Sequence, residues 1–129
     1  MRKLLISAFY VAVLTSCSHS TSRTGTLTIT PTAVKECGGK ASPVALSVHW
    51  DARKALPHGG SVKLWINNKV SNRGIFGDDG NNGTLWLQGG IIGSSTTGVW
   101  VMPGTRITMT EASKGKVLAR LDVPAAPCQ

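Results

Sequence analysis

The chain has 129 residues, which is enough for one domain with accessory segments. Its formal net charge is +8, yet the basic residues are scattered and form no block of like charge. This scatter, and the lack of a nucleic-acid-binding motif, argue against nucleic acid as a partner.

The N-terminal segment has the pattern of an export signal. Arg2 and Lys3 precede an apolar stretch of 11 residues that runs from Leu4 to Leu14. A membrane-spanning helix needs about 20 apolar residues, so this stretch is too short to span and suits the apolar region of a signal peptide. Removal of the two basic residues leaves a mature chain with a net charge of about +6.

The signal ends in Leu14-Thr15-Ser16-Cys17, which resembles the lipobox of bacterial lipoproteins. The resemblance implies cleavage before Cys17 and attachment of a diacylglyceryl group to its thiol. The residue that follows, Ser18, is not the Asp associated with inner-membrane retention. We therefore expect a periplasm-facing lipoprotein of the outer membrane, with the inner membrane and the cell surface left open. The alternative is a plain secretory signal with an accidental cysteine.

The lipobox also divides the chain. Residues 1–16 are predicted to be the signal peptide, residues 17–26 a lipidated flexible tether, and residues 27–129 the folded domain. The chain has three cysteines, and lipidation of Cys17 leaves Cys37 and Cys128 as a pair. Because export leads to an oxidising compartment, we expect these two to form a disulfide, the alternative being two buried thiols. Neither cysteine has a metal-spaced neighbour, so no metal or cofactor is expected.

From Thr26 onward, the chain contains short runs in which apolar residues occupy every second position, which is the spacing of strands with one buried face. No stretch has a helical period, and Gly, Pro and Asn separate the runs. Short strands at this spacing are typical of a β-sandwich. The predicted strands are Thr26–Thr30, Val44–Trp50, Ser61–Ile66, Thr84–Gln88, Val99–Val101, Arg106–Thr110 and Val117–Val123.

A second resemblance lies between Gly89 and Val123. Gly93-Ser94-Ser95-Thr96-Thr97-Gly98-Val99-Trp100-Val101, followed by Pro103-Gly104-Thr105-Arg106-Ile107-Thr108-Met109, is similar to the second half of bacterial immunoglobulin-like modules. The resemblance implies an immunoglobulin-like antiparallel β-sandwich of about seven strands with one disulfide. The resemblance then implies a Gly-Ser turn at Gly93 and Ser94, followed by a strand with the Thr-Gly-x-Trp pattern at Thr97–Trp100. Ile107 departs from the pattern, which has an aromatic residue there, and the disulfide would join an N-terminal strand region to the C-terminal end.

The residues that could carry catalysis form no recognisable constellation. The six carboxylates have no motif spacing, and no nucleophile elbow occurs. Asp78, Asp79, Asn81 and Asn82 could approach a calcium ion, but the loop lacks the closing Glu of a calcium loop. We therefore do not expect an enzyme.

The four tryptophans are the most informative residues for binding. Trp50 is predicted in the core and Trp100 in the core or at a corner, whereas Trp65 alternates with apolar neighbours and should face the other way. Trp86 lies in a short strand after a Gly-rich turn. Exposed aromatics serve protein and glycan sites. The predicted binding surface is therefore Trp65, Trp86, Lys63, Lys69 and Arg73, unless the loop 67–83 covers the two tryptophans.

Three functions fit this combination of anchor, sandwich and absent catalytic residues. The leading hypothesis is a lipid-anchored adaptor that docks another cell-envelope protein, within a secretion or surface assembly. The second is an inhibitor or immunity lipoprotein that blocks a lytic enzyme or toxin. The third is a glycan-binding module that uses Trp65 and Trp86.

Overall fold

The structure, a computed structural model, describes residues 21–22, 25–68 and 82–128. These residues form strands and turns, and no helix among them could span a membrane. The all-β prediction is confirmed. The predicted lipidation site Cys17, and Lys69 and Arg73, lie outside the described residues. The strands are β1 (Thr21–Ser22), β2 (Thr26–Thr30), β3 (Val34–Cys37), β4 (Lys40–Ala41), β5 (Ser47–Asp51), β6 (Ser61–Asn67), β7 (Thr84–Gly90), β8 (Ile92–Thr96), β9 (Arg106–Glu111), β10 (Val117–Asp122) and β11 (Ala125–Pro127).

Two antiparallel sheets form the sandwich. One has five strands in the order β1-β10-β9-β6-β7, and the other has three in the order β2-β5-β8. Strands β2, β5 and β8 share one sheet, and β6, β9 and β10 are consecutive neighbours in the other. Counted along the chain from β2 without β3 and β4, these are strands one, two and five in one sheet and strands three, six and seven in the other. This is the arrangement of an immunoglobulin-like sandwich, which confirms the predicted fold class.

The core lies between the two sheets, and in β2, β5 and β6 every second side chain is buried in it. In β6, Val62, Leu64 and Ile66 are buried, whereas the residues between them are half-buried. Ile107 and Met109 of β9 are fully buried beside them. Burial of each such side chain stabilises the fold by about 1.5–3 kcal/mol. Ile107, the predicted departure from the family pattern, is thus an ordinary core residue here.

Trp50 of β5 fixes the geometry of the crossing from β7 to β8. Its Nε1 donates to the carbonyl of Gly90 at 2.9 Å, and its ring packs against Gly89 and Gly93. A Cβ at Gly93 would lie 2.5 Å from the ring carbon Cζ2. The predicted Gly-Ser turn at Gly93 and Ser94 is therefore wrong, because both residues lie within strand β8, where the glycine makes room for the indole.

The predicted strand Val99–Val101 is also wrong. The chain turns at residues 99–100, and Val101 makes only an isolated bridge to Val44, with two hydrogen bonds of 3.0 Å. Trp100 packs edge-on against Trp86, with ring centroids 6.4 Å apart. This contact anchors the turn at the margin of the core, where Trp100 is half-buried and takes the corner position, one of the two places predicted for it.

A small sheet of order β11-β3-β4 was not predicted. Strand β11 runs parallel to β3, so the sandwich is antiparallel but this sheet is mixed. Cys37 ends β3 and Cys128 follows β11, and the two form the predicted disulfide with a Cα–Cα distance of 5.0 Å. The bond joins the N-terminal strand region to the C-terminal end, as expected.

Strand pairing begins before Leu27, the predicted start of the domain. Thr21 and Ser22 pair with Arg120 and Ala119 of β10, at the edge of the five-stranded sheet. The amide of Gly25 donates to the carbonyl of Leu118 at 3.0 Å. The described residues of the segment 17–26 are therefore hydrogen-bonded to the domain and do not form a free tether.

Candidate functional site

Trp65 lies on the outer face of the five-stranded sheet, opposite the core. Its neighbours in β6, Leu64 and Ile66, point inward and are buried, so Trp65 points outward. Its Nε1 donates to the Oγ1 of Thr110 on β9 at 2.8 Å. This hydrogen bond fixes the plane of the indole on the sheet, and the side chain remains half-buried.

Cross-strand pairing places polar, apolar and basic side chains around Trp65. Residues opposite one another in an antiparallel pair share a face. Leu85 of β7, 44 % exposed, is paired with Trp65, and Gln88 is paired with Lys63. Arg120 of β10 is paired with Thr108, which is in turn paired with Trp65. We call the surface formed by Lys63, Trp65, Leu85, Gln88 and Arg120 the Trp65 face.

The Trp65 face has a polar floor. Thr108 and Thr110 project from β9 beneath it, and both are almost completely buried. Arg120 reaches over this floor, since its Nε donates to the Oγ1 of Thr108 at 3.4 Å and its Nη2 to the Oδ1 of Asn82 at 3.3 Å. The hydroxyl of Thr110 thus accepts a hydrogen bond from Trp65, and the hydroxyl of Thr108 accepts one from Arg120. These two bonds hold Trp65 and Arg120 in place.

The other predicted aromatic, Trp86, has different neighbours from Trp65. The pairing of β6 and β7 shifts between Leu64 and Trp65, so that Leu87 and Leu85 take the paired positions and Trp86 is the extra residue. Trp86 packs against the core and against Trp100 at an interplanar angle of 83°. The two tryptophans therefore contact different residues, and Trp86 is not counted in the Trp65 face.

The positive charge of the Trp65 face comes from Lys63 and Arg120. A third cation, Arg106, is paired across strands with Asp122, with contacts of 2.8 Å from Nε to Oδ1 and 3.2 Å from Nη2 to Oδ2. This bidentate pair neutralises its own charge locally. The side chain of Lys63 makes no hydrogen bond or ion pair with another described residue.

The side chains of the Trp65 face can make apolar contacts, hydrogen bonds and ion pairs. It offers an indole, an isobutyl group, an amide and two cations, and it carries no carboxylate, imidazole or thiol. Among residues 21–22, 25–68 and 82–128, no three His, Cys, Asp or Glu side chains gather as a metal site. Comparisons with protein-family models, with curated proteins and with solved structures gave no match.

Sequence reasoning found Trp65 and Lys63 but missed three members of the surface. Arg120 could have been found, because it alternates with Ala119 and Leu121 in β10 and must share a face with the polar residues. Leu85 and Gln88 could not, since the register shift in β7 decides which side chains face outward. Alternation within one strand does not reveal such a shift.

A separate charged pair, Asp51 and Arg53, leads to a prediction about pH. The guanidinium and backbone amide of Arg53 both donate to the Asp51 carboxylate, and these bonds lower the pKa of Asp51 from 3.8 to about 2. The charged carboxylate should thus favour the folded state above about pH 4, and this contribution should disappear as the pH falls through about 2.

The test is an NMR titration of the Asp51 carboxyl. The Arg53→Gln protein keeps the backbone donor but loses the guanidinium, so the pKa of Asp51 should rise toward its ordinary value. Lys54→Gln is the matched control, because Lys54 is only a minor cause of the shift. Equal titration of Asp51 in both variants would contradict the assignment.

Proposed function

We propose that the protein is a lipid-anchored module that docks another cell-envelope protein through the Trp65 face. One observation carries the proposal: a hydrogen-bonded indole on the outer face of the sheet stands beside an exposed leucine and two cations. Interfaces concentrate their binding energy in such anchors, with Trp and Arg enriched among them. The β-sandwich would hold these side chains in place, and the lipid on Cys17 would hold the domain at the membrane.

Rigidity supports a docking role for Trp65. An interface loses affinity when binding must immobilise flexible side chains. The indole is already held by Thr110, and the guanidinium of Arg120 is held by Thr108 and Asn82. Both groups are therefore ordered before a partner arrives, which favours a specific contact.

Charge indicates the chemistry of the partner. Lys63 and Arg120 are cations, and no carboxylate of the Trp65 face balances them. A partner with an acidic patch around an apolar pocket would complement this surface. Complementary charge raises the association rate and makes binding sensitive to salt. Reversal of Lys63 to Glu should therefore weaken association more at low salt than at high salt.

Lipidation of Cys17 would hold the domain close to the membrane. Thr21, four residues later, pairs with Arg120 at the edge of the five-stranded sheet. Four residues span at most about 14 Å. The partner would then present its acidic patch near the membrane surface. Mass spectrometry of the mature N-terminal peptide should find an acylated Cys17, and an unmodified cysteine would contradict the anchor.

The docking prediction is tested with Trp65→Ala in cells that make the lipidated protein. Truncation of an interface anchor costs about 2 kcal/mol or more, which is roughly a 30-fold loss of affinity. A protein crosslinked to the parent chain in intact envelopes should therefore be recovered in much smaller amounts. Trp65→Phe should retain part of the recovery, because it keeps the apolar ring.

Thr28→Ala is the matched control. Thr28 is exposed at the centre of β2, on the outer face of the opposite sheet. Thermal unfolding must first show that each variant is folded. Equal recovery with Trp65→Ala and Thr28→Ala would overturn the proposed face. Loss of peptidoglycan binding in Trp65→Ala, with protein crosslinks unchanged, would favour a glycan site instead.

A further inference from the structure

We propose that strand β8 is a self-association edge, at which two copies of this chain pair antiparallel around Ser94. The starting observation is a segment without charge. Residues 80–105 contain no Asp, Glu, Lys, Arg or His, in a chain that is 16% charged. The described part of this segment includes β7 and β8, which are edge strands of the two sheets of the sandwich.

The exposed apolar side chains lie in the same segment. Among the described residues, the exposed large hydrophobic side chains are Leu85, Ile92, Val99 and Met102, and all four fall within it. Leu85 belongs to the Trp65 face, but Ile92, 54 % exposed, begins strand β8. Natural sheets usually protect an edge with lysine, proline or a bulge. The pairing of β8 with β5 is regular, and its sequence has neither charge nor proline.

The backbone of β8 has donors and acceptors directed away from the sheet. The carbonyl of Ile91 accepts from Ala52, and the amide of Thr97 donates to Leu46, so these two residues direct their groups toward the β5 side. Backbone groups alternate in direction along an antiparallel strand. The N–H and C=O of Ile92, Ser94 and Thr96 therefore point outward, and the described residues place no strand there.

Two-fold pairing and charge both favour a second copy as the occupant. In a two-fold antiparallel pairing centred on Ser94, Ser94 faces Ser94 of the other copy, and Ile92 faces Thr96. Hydroxyl pairs and apolar pairs with β-branched residues are favourable across strands, whereas like charges directly opposite are not. Because the mature chain has a net charge of about +6, most other surfaces of two copies repel. The uncharged edge lets them approach without that cost.

The experiment is cysteine crosslinking in intact envelopes with the full, exported protein. Paired residues in this register lie about 5.5 Å apart at Cα, a distance that a disulfide spans. The Ser94→Cys protein should therefore form a covalent dimer on mild oxidation with diamide. Thr28→Cys is the control, since Thr28 is equally exposed on the other edge strand of the same sheet.

A charge variant makes the test specific to the edge. Ile92→Lys combined with Ser94→Cys puts a lysine in each half of the pairing and should reduce the dimer several-fold. No dimer with Ser94→Cys, or an equal yield with Thr28→Cys, would overturn the proposal, as would an adduct with a different protein. Trp65→Ala should leave the dimer unchanged, because the Trp65 face is on the other sheet, so the two proposals can fail separately.

Discussion

Removal of the Cys37–Cys128 disulfide should lower the free energy of unfolding by about 2–5 kcal/mol. The bond closes a loop with a sequence separation of 91, so it restricts the unfolded chain strongly. It also joins two strands with little other support. In β3 only Val34 is buried, and β11 has no buried residue. The sheet β11-β3-β4 therefore depends on the bond as well as on backbone pairing.

The double variant Cys37→Ser, Cys128→Ser tests this without leaving a lone thiol. Denaturant unfolding gives the global effect, and hydrogen exchange shows where protection is lost first. We expect exchange to rise at Val34 and Lys35 before it rises at Leu64 in the core of the sandwich. Unchanged denaturation midpoints, with unchanged protection in β3, would contradict a structural role for the bond.

Trp50→Ala should lower the free energy of unfolding by about 3–5 kcal/mol. The side chain is 6 % exposed, and its ring fills the space between the two sheets where β7 crosses into β8. Truncation removes that packing and the Nε1 hydrogen bond to Gly90. Trp50→Phe should cost less, because the carbonyl of exposed Gly90 can turn to water.

Gly93→Ala provides the matched partner for a double-mutant cycle. Its new methyl group would meet the Trp50 ring, and overpacking of this kind costs about 1–3 kcal/mol. In the Trp50→Ala background the methyl group enters the space left by the indole, so its cost should nearly vanish. Contacting residues give such non-additive cycles. Additive losses in denaturant unfolding would contradict the packing described for these two residues.

The sequence predicted the sandwich because alternation is a local signal. Val62, Leu64 and Ile66 point inward as expected, and the strands with such patterns lie close to where they were predicted, although β5 begins at Ser47 rather than at Val44. The errors occur where a tertiary contact overrides local preference. Gly93 looked like a turn residue, yet the Trp50 ring requires glycine within a strand. Such a contact joins residues far apart in the chain and leaves no periodic trace.

The candidate site was predictable only in part for a similar reason. Trp65 could be assigned to the outer face from its own strand, but its neighbours come from three other strands. Cross-strand register decides that Leu85 rather than Trp86 stands beside it. The small sheet β11-β3-β4 was missed because its strands are short and mostly exposed, and therefore lack a buried alternation.

The most direct test of docking through the Trp65 face is site-specific photocrosslinking in living cells. A photoreactive amino acid at Gln88, exposed and paired with Lys63, would report contacts at the rim of this face without removal of Trp65. The same group at Thr28 reports the opposite sheet. We predict a discrete adduct with one envelope protein from position 88, its absence from position 28, and its loss with Lys63→Glu. No adduct from position 88, or the same adduct from both positions, would contradict docking through the Trp65 face.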